Sequence, residues 1–535
     1  MGVGPDGHTG AWGRWGLVTI LLLFAAIYAR AVTFEFVWDD VEAIRDNPIY
    51  AAPLLDGLDA TQHDHLDPAL RKLSGMKPAH DSYRPLLYLS YRSDVALSGM
   101  SPRGMHLHNL ILGLLAIVAF YFVASRWLMS ERPALVATAV FALHPLQVES
   151  VAYVSGRGDL LAGLFGLLAV ASALQFEQRR GTGRRGLWLL AGTACLLASL
   201  LSKEAYLGLP IALAGVAFAR GRLREQLTVI ATWVAAIVAY LTLRFAVGGV
   251  AEGGTGALAL ASLPGVFLRY LQIALLPFDL STERLYDASY VLPGWLALGV
   301  LTAWVLTRLR GGWSQTSRSV ASGLLWMLVL LGPSVVVVVL MGVVADRYSY
   351  LPLGGFAVAL SALLTATARK SNKLGPVLGA AGILWTAMCL VVTIMQVGTW
   401  KDNRTLYGHA VATAPQSSMA NYRLGHSYAT DGQWPEAIAL FERAVALQPS
   451  NLRALNNLGV AYLNTGKFEA AAGAFERALA ESGQMHFRAW YNLGVAQMNM
   501  EEREAACASV ERALQINPSY EAAVAFQRAS CHRRD

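Results

Sequence analysis

Long apolar runs recur through the first 400 residues and constrain the fold more than any other feature of this sequence. Runs of about 17 to 25 apolar residues are long enough to cross the hydrocarbon core of a bilayer as helices. Such runs begin near residues 15, 106, 133, 160, 186, 205, 226, 291, 319, 351 and 375. Because 55% of all residues are hydrophobic and 15% are charged, the sequence predicts an all-α, polytopic membrane protein with about eleven transmembrane helices.

The arginine-rich connections indicate which loops lie on the cytoplasmic side of the membrane. Basic residues accumulate in cytoplasmic loops, and here they alternate with the other loops if the N-terminus is cytoplasmic, which places the C-terminus outside. The apolar segment from Leu263 breaks this alternation, so we predict an interfacial or re-entrant helix on the external face. Topology thus explains the net charge of +7, and we expect no nucleic-acid partner. The basic connections are 126–132, 179–185, 220–224, 308–318 and 369–373.

Under this topology, nearly all the unusual polar clusters share the external face. They lie in the long loop 34–105, in the stretch 140–165, in the shorter segments 202–206, 278–287 and 346–352, and in the C-terminal region. An active site needs its residues on one side of the membrane. This distribution is therefore suited to an enzyme that works at the external surface.

From about Ser418 the sequence changes to amphipathic helices with a period of about 34 residues. "LGHSY" at 424–428 returns as "LGVAY" at 458–462 and as "LG" at 493–494. This pattern is typical of tetratricopeptide repeats, which present a concave surface to a peptide or protein. We predict a membrane domain over 1–400, a linker over 401–417, and three repeats with a capping helix over 418–535. Cys507 and Cys531 fall on adjacent helices of this array, and a disulfide between them is left open.

Two adjacent carboxylates, Asp39 and Asp40, follow the first apolar run directly. Mutual repulsion and partial desolvation raise carboxylate pKa values, which suits removal of a proton from a hydroxyl group. The alternative is a solvated turn or a helix N-cap, since aspartate favours both. Spacing alone does not choose between catalysis and these structural roles.

The rest of the same loop contains Arg84 and two histidines. A guanidinium forms bidentate bonds to phosphate oxygens, so Arg84 either holds a phosphate or anchors the loop to a lipid headgroup. His106 and His108 are two residues apart, which is a poor spacing for a metal site on a helix. We interpret them as supporting or packing residues.

Three further clusters combine acidic and basic residues beside the ends of predicted spans. Ionisable groups at this depth are costly unless they are paired or functional, so each cluster is either part of a site or an ion pair that anchors its loop. The clusters are His144, Glu149, Arg157 and Asp159 in "HPLQVESVAYVSGRGDLL", Lys203 and Glu204 in "SKEAY", and Asp346 and Arg347 in "DRYSYLP".

These groups suit the transfer of a sugar from a lipid phosphate. A carboxylate can activate an acceptor hydroxyl while Arg and Lys side chains neutralise the departing phosphate. Because basic side chains can supply the positive charge, we expect no required cofactor and no metal ligands, with a divalent metal as the alternative. The lipid donor would lie in the bilayer, and a protein acceptor would reach the external face.

"VWDD", "SYRPL", "HPLQVESVAYVSGRGDLL", "SKE" and "DRYSYLP", in this order and before tetratricopeptide repeats, resemble the transmembrane and tetratricopeptide-repeat (TMTC) O-mannosyltransferases and their bacterial relatives. The resemblance implies a GT-C membrane glycosyltransferase that uses a polyprenyl-phosphate sugar to modify Ser or Thr of exported proteins. We expect this transfer to invert the configuration at the anomeric carbon. The resemblance also implies catalysis by Asp39 or Asp40. The expected donor-phosphate ligands are Arg84, Arg157, Lys203 and Arg347, and the expected lining residues are His108, His144, Glu149, Asp159, Glu204 and Asp346.

Two other functions fit the same sequence. One is a non-catalytic membrane scaffold whose repeats recruit a partner, and the other is a GT-C enzyme with a glycan or lipid acceptor. The Ala- and Arg-rich composition with few lysines favours a bacterial origin, so we predict the inner membrane with periplasmic repeats. In a eukaryote the equivalent location is the endoplasmic reticulum membrane with luminal repeats.

Overall fold

The structure is a computed structural model that describes residues 11–47, 50, 84–179, 181, 183–248, 256–278, 280, 287–341, 344–370 and 374–531. Regular structure in these residues is helical throughout, as predicted. Contacts separate a first unit, which ends at Asp402, from a second unit, which begins at Asn403. This boundary lies close to the predicted end of the membrane domain at residue 400.

Nine of the described helices are long and apolar enough to cross a membrane, or ten if one bent pair counts as a single crossing. The runs near residues 133 and 205, which the prediction of about eleven spans includes, do not form single straight helices of membrane-spanning length. The α-helices of the first unit are α1 (Ala11–Tyr28), α2 (Pro85–Ser98), α3 (Pro102–Leu128), α4 (Glu131–Leu143), α5 (Val148–Ala152), α6 (Arg157–Gln178), α7 (Arg185–Ser202), α8 (Leu209–Ala219), α9 (Leu223–Gly248), α10 (Gly256–Leu275), α11 (Val291–Gly311), α12 (Gln315–Met341), α13 (Pro352–Lys370) and α14 (Leu374–Thr399).

The run near residue 133 is bent. Its two parts, Glu131–Leu143 and Pro145–Ala152, are inclined by 55°. Pro145 is the cause, because the residue before a proline is disfavoured in helical geometry. His144 accordingly adopts an extended conformation, with φ of −77° and ψ of 135°. The bend places Glu149 on the short helix α5 rather than beyond the end of a straight span.

The run near residue 205 contains only the eleven residues of α8, about 17 Å at the helical rise of about 1.5 Å per residue. The chain around α8 nevertheless follows the whole length of α6. Lys203 pairs with Asp159 in the first turn of α6, and Arg220 pairs with Glu177 in its last turn. The short 3-10 turn Glu204–Tyr206, which precedes α8, supplies part of the missing length.

The segment from Leu263 forms the second half of α10, which contains Pro264. The Tyr270 hydroxyl donates a hydrogen bond to the Ala345 carbonyl at 2.7 Å. The Ala274 carbonyl accepts one from His144 Nε2 at 2.9 Å. Both partners lie in connections predicted to be external, so α10 packs against the predicted external loops.

The second unit consists of paired helices in the predicted tetratricopeptide register. In the pairs α16–α17, α18–α19 and α20–α21, a glycine of the first helix faces Phe441, Phe475 or Val510 of the second. A Cβ on Gly459 would lie 2.5 Å from the Phe475 ring, so only glycine permits this approach. The helices are α15 (Asn403–Thr413), α16 (Ser418–Thr430), α17 (Trp434–Leu447), α18 (Leu452–Asn464), α19 (Phe468–Glu481), α20 (Phe487–Asn499), α21 (Arg503–Ile516) and α22 (Glu521–Phe526).

At both ends of the repeat array, the structure adds details to what the sequence predicted. The predicted linker 401–417 contains α15, which packs against α16. At the other end, α22 and the turn Gln527–Cys531 occupy the place of the predicted capping helix. A disulfide joins Cys507 to Cys531 with a Cα–Cα distance of 5.7 Å. The pairing that the sequence left open is therefore present.

Candidate active site

The turn after α1 places the two predicted catalytic carboxylates in different environments. Asp40 is fully buried. Its Oδ1 accepts hydrogen bonds from the Ser155 backbone N–H at 2.8 Å and from the Ser155 hydroxyl at 2.6 Å, and its Oδ2 accepts one from the Val37 N–H at 3.3 Å. Burial raises the pKa of Asp40 to about 7, although these hydrogen bonds act in the opposite direction. Asp40 therefore ties the turn to the stretch 140–165.

Asp39 is exposed on the same turn. The preceding residue, Trp38, has a φ of 55°, a left-handed conformation that is unfavourable for a bulky side chain. The Trp38 ring lies 5.6 Å from that of Tyr153 and 6.4 Å from that of Trp400. These aromatic contacts and the bonds to Asp40 hold the strained turn in place, so Asp39 is presented at the surface from a rigid support.

Glu149 and Arg347 join two of the predicted clusters. Glu149 is buried, accepts a hydrogen bond from the Arg347 backbone N–H at 2.9 Å, and forms an ion pair with the Arg347 guanidinium. The guanidinium carbon lies 5.5 Å from the centre of the Trp38 ring and 5.2 Å from that of Tyr348. Arg347 is thus positioned beside the turn that carries Asp39.

Lys203 and Asp159 form a second ion pair. Lys203 Nζ lies 2.7 Å from each carboxylate oxygen of Asp159, and Asp159 is buried at the start of α6. The same ammonium group lies 5.6 Å from the centre of the Tyr348 ring. Tyr348 therefore contacts the cations of both Lys203 and Arg347.

Arg84 and Glu204 form a third pair. Arg84 donates two hydrogen bonds to Glu204, at 3.0 and 2.8 Å, and Arg244 lies 3.6 Å from the same carboxylate. Burial acts to raise the pKa of Glu204, but the bonds from Arg84 and the charge of Arg244 hold it at about 2. The side chains predicted from "SYRPL" and "SKEAY" are thus brought together.

The three pairs belong to one network of alternating charge. Asp159 interacts electrostatically with Arg84 and Arg347 as well as with Lys203. Four cations and three carboxylates leave one positive charge in excess, not counting the neighbouring Asp39, Asp40 and Asp346. The cationic side chains are between 13% and 23% exposed. Members of this ion-pair network are Arg84, Lys203, Arg244, Arg347, Glu149, Asp159 and Glu204.

The Arg157 side chain is committed to protein groups, in contrast to its predicted role as a phosphate ligand. It is fully buried and contacts Asp94 at 2.6 Å, the Asn109 side-chain oxygen at 2.8 Å and the Met105 carbonyl at 2.8 Å. His108 Nδ1 lies 2.7 Å from the other Asp94 oxygen. Arg157 and His108 therefore connect the start of α6 and the helix α3 to Asp94 on α2.

His144 and Asp346 complete the predicted set. His144 Nε2–H donates to the Ala274 carbonyl at 2.9 Å, and Nδ1 accepts from the Leu146 N–H at 3.2 Å. Both ring nitrogens thus bond to backbone atoms at the bend, outside the network. Asp346 is buried at the start of the turn Asp346–Ser349, directly before Arg347. Within the described residues, no group of three or more His, Cys, Asp or Glu side chains is arranged to hold a metal ion.

Known families and sequences match both parts of the chain. Residues 17–247 match the family model for dolichyl-phosphate-mannose-protein mannosyltransferase, and residues 422–485 and 461–521 match that for tetratricopeptide repeats. The protein O-mannosyl-transferase TMTC4 of Mus musculus is 27% identical over 488 residues, which cover 78% of this chain and 64% of the relative. The chain is homologous to the TMTC O-mannosyltransferases.

Identity and coverage differ among the TMTC relatives. The TMTC4 protein of Homo sapiens is 26% identical over 486 residues, covering 78% of this chain and 64% of that protein. The human TMTC1 protein is 36% identical over 148 residues, covering 27% of this chain and 16% of that protein. The chain thus spans just under two thirds of the length of the TMTC4 relatives.

Several residues of this candidate site were not predicted from the sequence. Ser155 bonds to Asp40, but an isolated serine carries no spacing signal. Asp94 and Asn109 engage the Arg157 guanidinium from positions that resemble ordinary helix residues. Arg244 did carry a signal, because an arginine near the predicted external end of a span departs from the positive-inside pattern.

Proposed function

We propose that this chain is a membrane mannosyltransferase that moves a hexose from a polyprenyl phosphate to Ser or Thr hydroxyls of exported proteins. The observation that carries the proposal is the ion-pair network beside the Asp39 turn, at the ends of membrane-length helices. A lipid-phosphate donor requires such a combination of cations and apolar surface. The matching mannosyltransferase family model, over residues 17–247, supports mannose as the sugar.

The excess charge of the network suits this donor. A polyprenyl-phosphate sugar is a phosphodiester with one negative charge, and the network has one positive charge in excess. Glu149 and Asp159 hold Arg347 and Lys203 in position before the donor binds, so little reorganisation is needed. Arg347 and Lys203 are the proposed phosphate ligands, and Arg84 and Arg244 add to the positive potential.

Asp39 is the proposed general base. The acceptor oxygen attacks the anomeric carbon, a new C–O bond forms, and the bond between that carbon and the phosphate oxygen breaks. The electron pair leaves with the lipid phosphate, while Asp39 takes the hydroxyl proton. A single displacement of this kind inverts the anomeric configuration. Asp40, buried and accepting three hydrogen bonds, positions the turn.

Transfer assays on carboxylate variants test this assignment. The full chain is reconstituted with polyprenyl-phosphate mannose and a Ser/Thr-rich peptide, and the products are analysed by mass spectrometry. We expect Asp39→Asn to lower kcat by about 100-fold or more. The control is Asp46→Asn, in the same loop, where Asp46 forms an exposed pair with Arg45. Thermal unfolding of each variant verifies folding.

Three outcomes distinguish the alternatives. Full activity of Asp39→Asn would remove Asp39 from the mechanism. Transfer to lipid or glycan but not to peptide would favour the GT-C enzyme with another acceptor. A wild-type chain that binds protein partners through its repeats but transfers no sugar from any polyprenyl phosphate would favour the scaffold.

The repeats are the proposed acceptor-binding surface. Their first helices carry a row of amide side chains: Asn456 contacts Asn457 at 3.3 Å and Asn492 at 3.4 Å, and Asn457 contacts the Tyr422 hydroxyl at 3.5 Å. These bonds are long, so the amides can exchange them for bonds to an extended peptide backbone. We place this surface and the ion-pair network on the periplasmic side of a bacterial inner membrane.

A further inference from the structure

A second group of cations lies at the opposite end of α6 from the ion-pair network. Arg126 lies in the last turn of α3, Arg220 directly follows α8, and Arg318 lies in the first turn of α12. Arg126 and Arg220 interact electrostatically. Arg318 Nη1 lies 3.2 Å from the position that a Cβ on Gly221 would occupy. Arg220 thus interacts with Arg126, and Arg318 lies beside the residue that follows Arg220, so we refer to these three residues as the arginine cluster.

The positive charge of the arginine cluster is only partly compensated. Glu177, in the last turn of α6, pairs with Arg220 and accepts a hydrogen bond from Gln226 at 3.2 Å. Within the part of the chain that the structure describes, Glu177 is the carboxylate that forms an ion pair with the cluster, so the three guanidinium groups carry two positive charges beyond that pair. The C-terminal ends of α3 and α6 add the partial negative charge of their dipoles, which amounts to about half a charge each.

Some N–H groups of the arginine cluster also lack hydrogen-bond partners among the described residues. Among the described residues, Arg126 Nη1, Arg220 Nε and Arg318 Nε are buried and have no hydrogen-bond partner. Buried polar groups are normally paired, and pairing matters most for charged groups. One unpaired donor on each of three neighbouring guanidinium groups is an arrangement that an oxyanion satisfies.

We propose that the arginine cluster binds the phosphate headgroup of an anionic membrane lipid. Guanidinium groups bind phosphate oxygens through paired N–H donors, and basic pockets between membrane helices are suited to anionic headgroups. Apolar side chains beside the cluster are exposed and can contact acyl chains: Met129 is 47%, Leu223 40% and Leu227 54% exposed. The site is separate from the proposed donor site and does not depend on sugar transfer.

Lipid binding to the purified full chain tests this proposal. Native mass spectrometry compares phosphatidylglycerol with phosphatidylcholine, and thermal unfolding compares both with inorganic phosphate. We expect phosphatidylglycerol to bind preferentially, and Arg126→Gln and Arg318→Gln each to weaken it about fivefold. The matched control is Arg222→Gln, because Arg222 lies near the same turn but is 54% exposed and paired with Glu225.

The possible results separate the sources of phosphate. Equal binding of phosphatidylcholine, or unchanged phosphatidylglycerol binding in both glutamine variants, would overturn the proposal. Stabilisation by inorganic phosphate as large as that by phosphatidylglycerol would replace it with a site for a small anion. Arg318→Lys keeps the charge but loses the paired N–H donors, so it should retain only part of the lipid binding, and it provides a test if a glutamine variant fails to fold.

Discussion

Asp39 and Asp40 are neighbours in the chain but differ in what each side chain can do. Asp40 is buried, and its oxygens accept hydrogen bonds from Ser155 and Val37. Asp39 is exposed beside the strained Trp38. A base must reach the acceptor hydroxyl, so exposure favours Asp39, whereas the bonds of Asp40 suit a positioning role.

The first residue-scale prediction concerns pH. Because the pKa of Asp40 is raised from 3.8 to about 7, lowering the pH through about 7 protonates Asp40 and weakens its bonds to the turn. We expect kcat/KM to fall up to tenfold per pH unit below about 7 and this decrease to be much smaller in Asp40→Asn. If the decrease of kcat/KM below pH 7 is unchanged in Asp40→Asn, another titrating group causes that decrease.

The same pKa shift has the opposite sign for folding. The folded chain holds the Asp40 proton more tightly than the unfolded chain does. The contribution of Asp40 to stability therefore decreases as the pH rises from about 4 towards about 7. Activity and stability thus have opposing requirements at this residue.

A second residue-scale prediction concerns the pair of Lys203 and Asp159. Lys203→Met leaves a buried carboxylate without its ion-pair partner, which costs about 3–5 kcal/mol. Lys203→Met combined with Asp159→Leu removes both charges and should recover most of that stability. Denaturant unfolding of the full chain measures both variants, and a double variant no more stable than the single one would contradict this account. Neither variant should transfer sugar.

At the scale of elements, the paired repeat helices depend on the close approach of glycine to a large side chain. Gly459 faces the Phe475 ring, and we expect Gly459→Ala to destabilise the array by about 1–3 kcal/mol through overpacking. Gly473 has no neighbour within 4 Å of an added Cβ, so Gly473→Ala should raise helix stability by up to about 1 kcal/mol. Protease resistance of the repeats during thermal unfolding measures both changes, and equal effects of the two variants would contradict the packing argument.

The points at which helices end also position the candidate site. The bend at Pro145 and the extended residue Lys203 each end a helix next to one of the predicted polar clusters. Each break brings an ionisable side chain to the end of the bundle instead of leaving it along a lipid-facing helix. The polar clusters therefore depend on where helices stop as much as on which residues they contain.

At the scale of the whole molecule, the disulfide between Cys507 and Cys531 bears on orientation. Disulfides persist in oxidising compartments and are rare in the cytosol. We expect alkylation of intact cells to leave this pair unmodified until a reductant is added, whereas Cys531 in Cys507→Ser reacts directly. Immediate alkylation of both cysteines in the wild-type chain would place the repeats on the reducing side and contradict the proposed orientation.

The sequence by itself determined what depends on local pattern. The length of apolar runs predicts membrane helices, the period of about 34 residues predicts the repeats, and the order of short motifs identifies the TMTC relatives. These properties involve neighbours along the chain, so no packing information is needed to recognise them. The candidate clusters were found in the same way, from ionisable residues next to apolar runs.

Only the tertiary structure decided which side chains of those clusters are available to a ligand. Arg157 and Arg347 look alike in sequence, yet the first is fully buried and bonded to α3, and the second is 21% exposed beside Trp38. Their partners are distant in the chain: Glu149 and Arg347 are 198 residues apart, and Asp40 and Ser155 are 115 apart. Whether a charge meets a ligand or another side chain depends on the rotation and packing of helices, which local patterns do not encode.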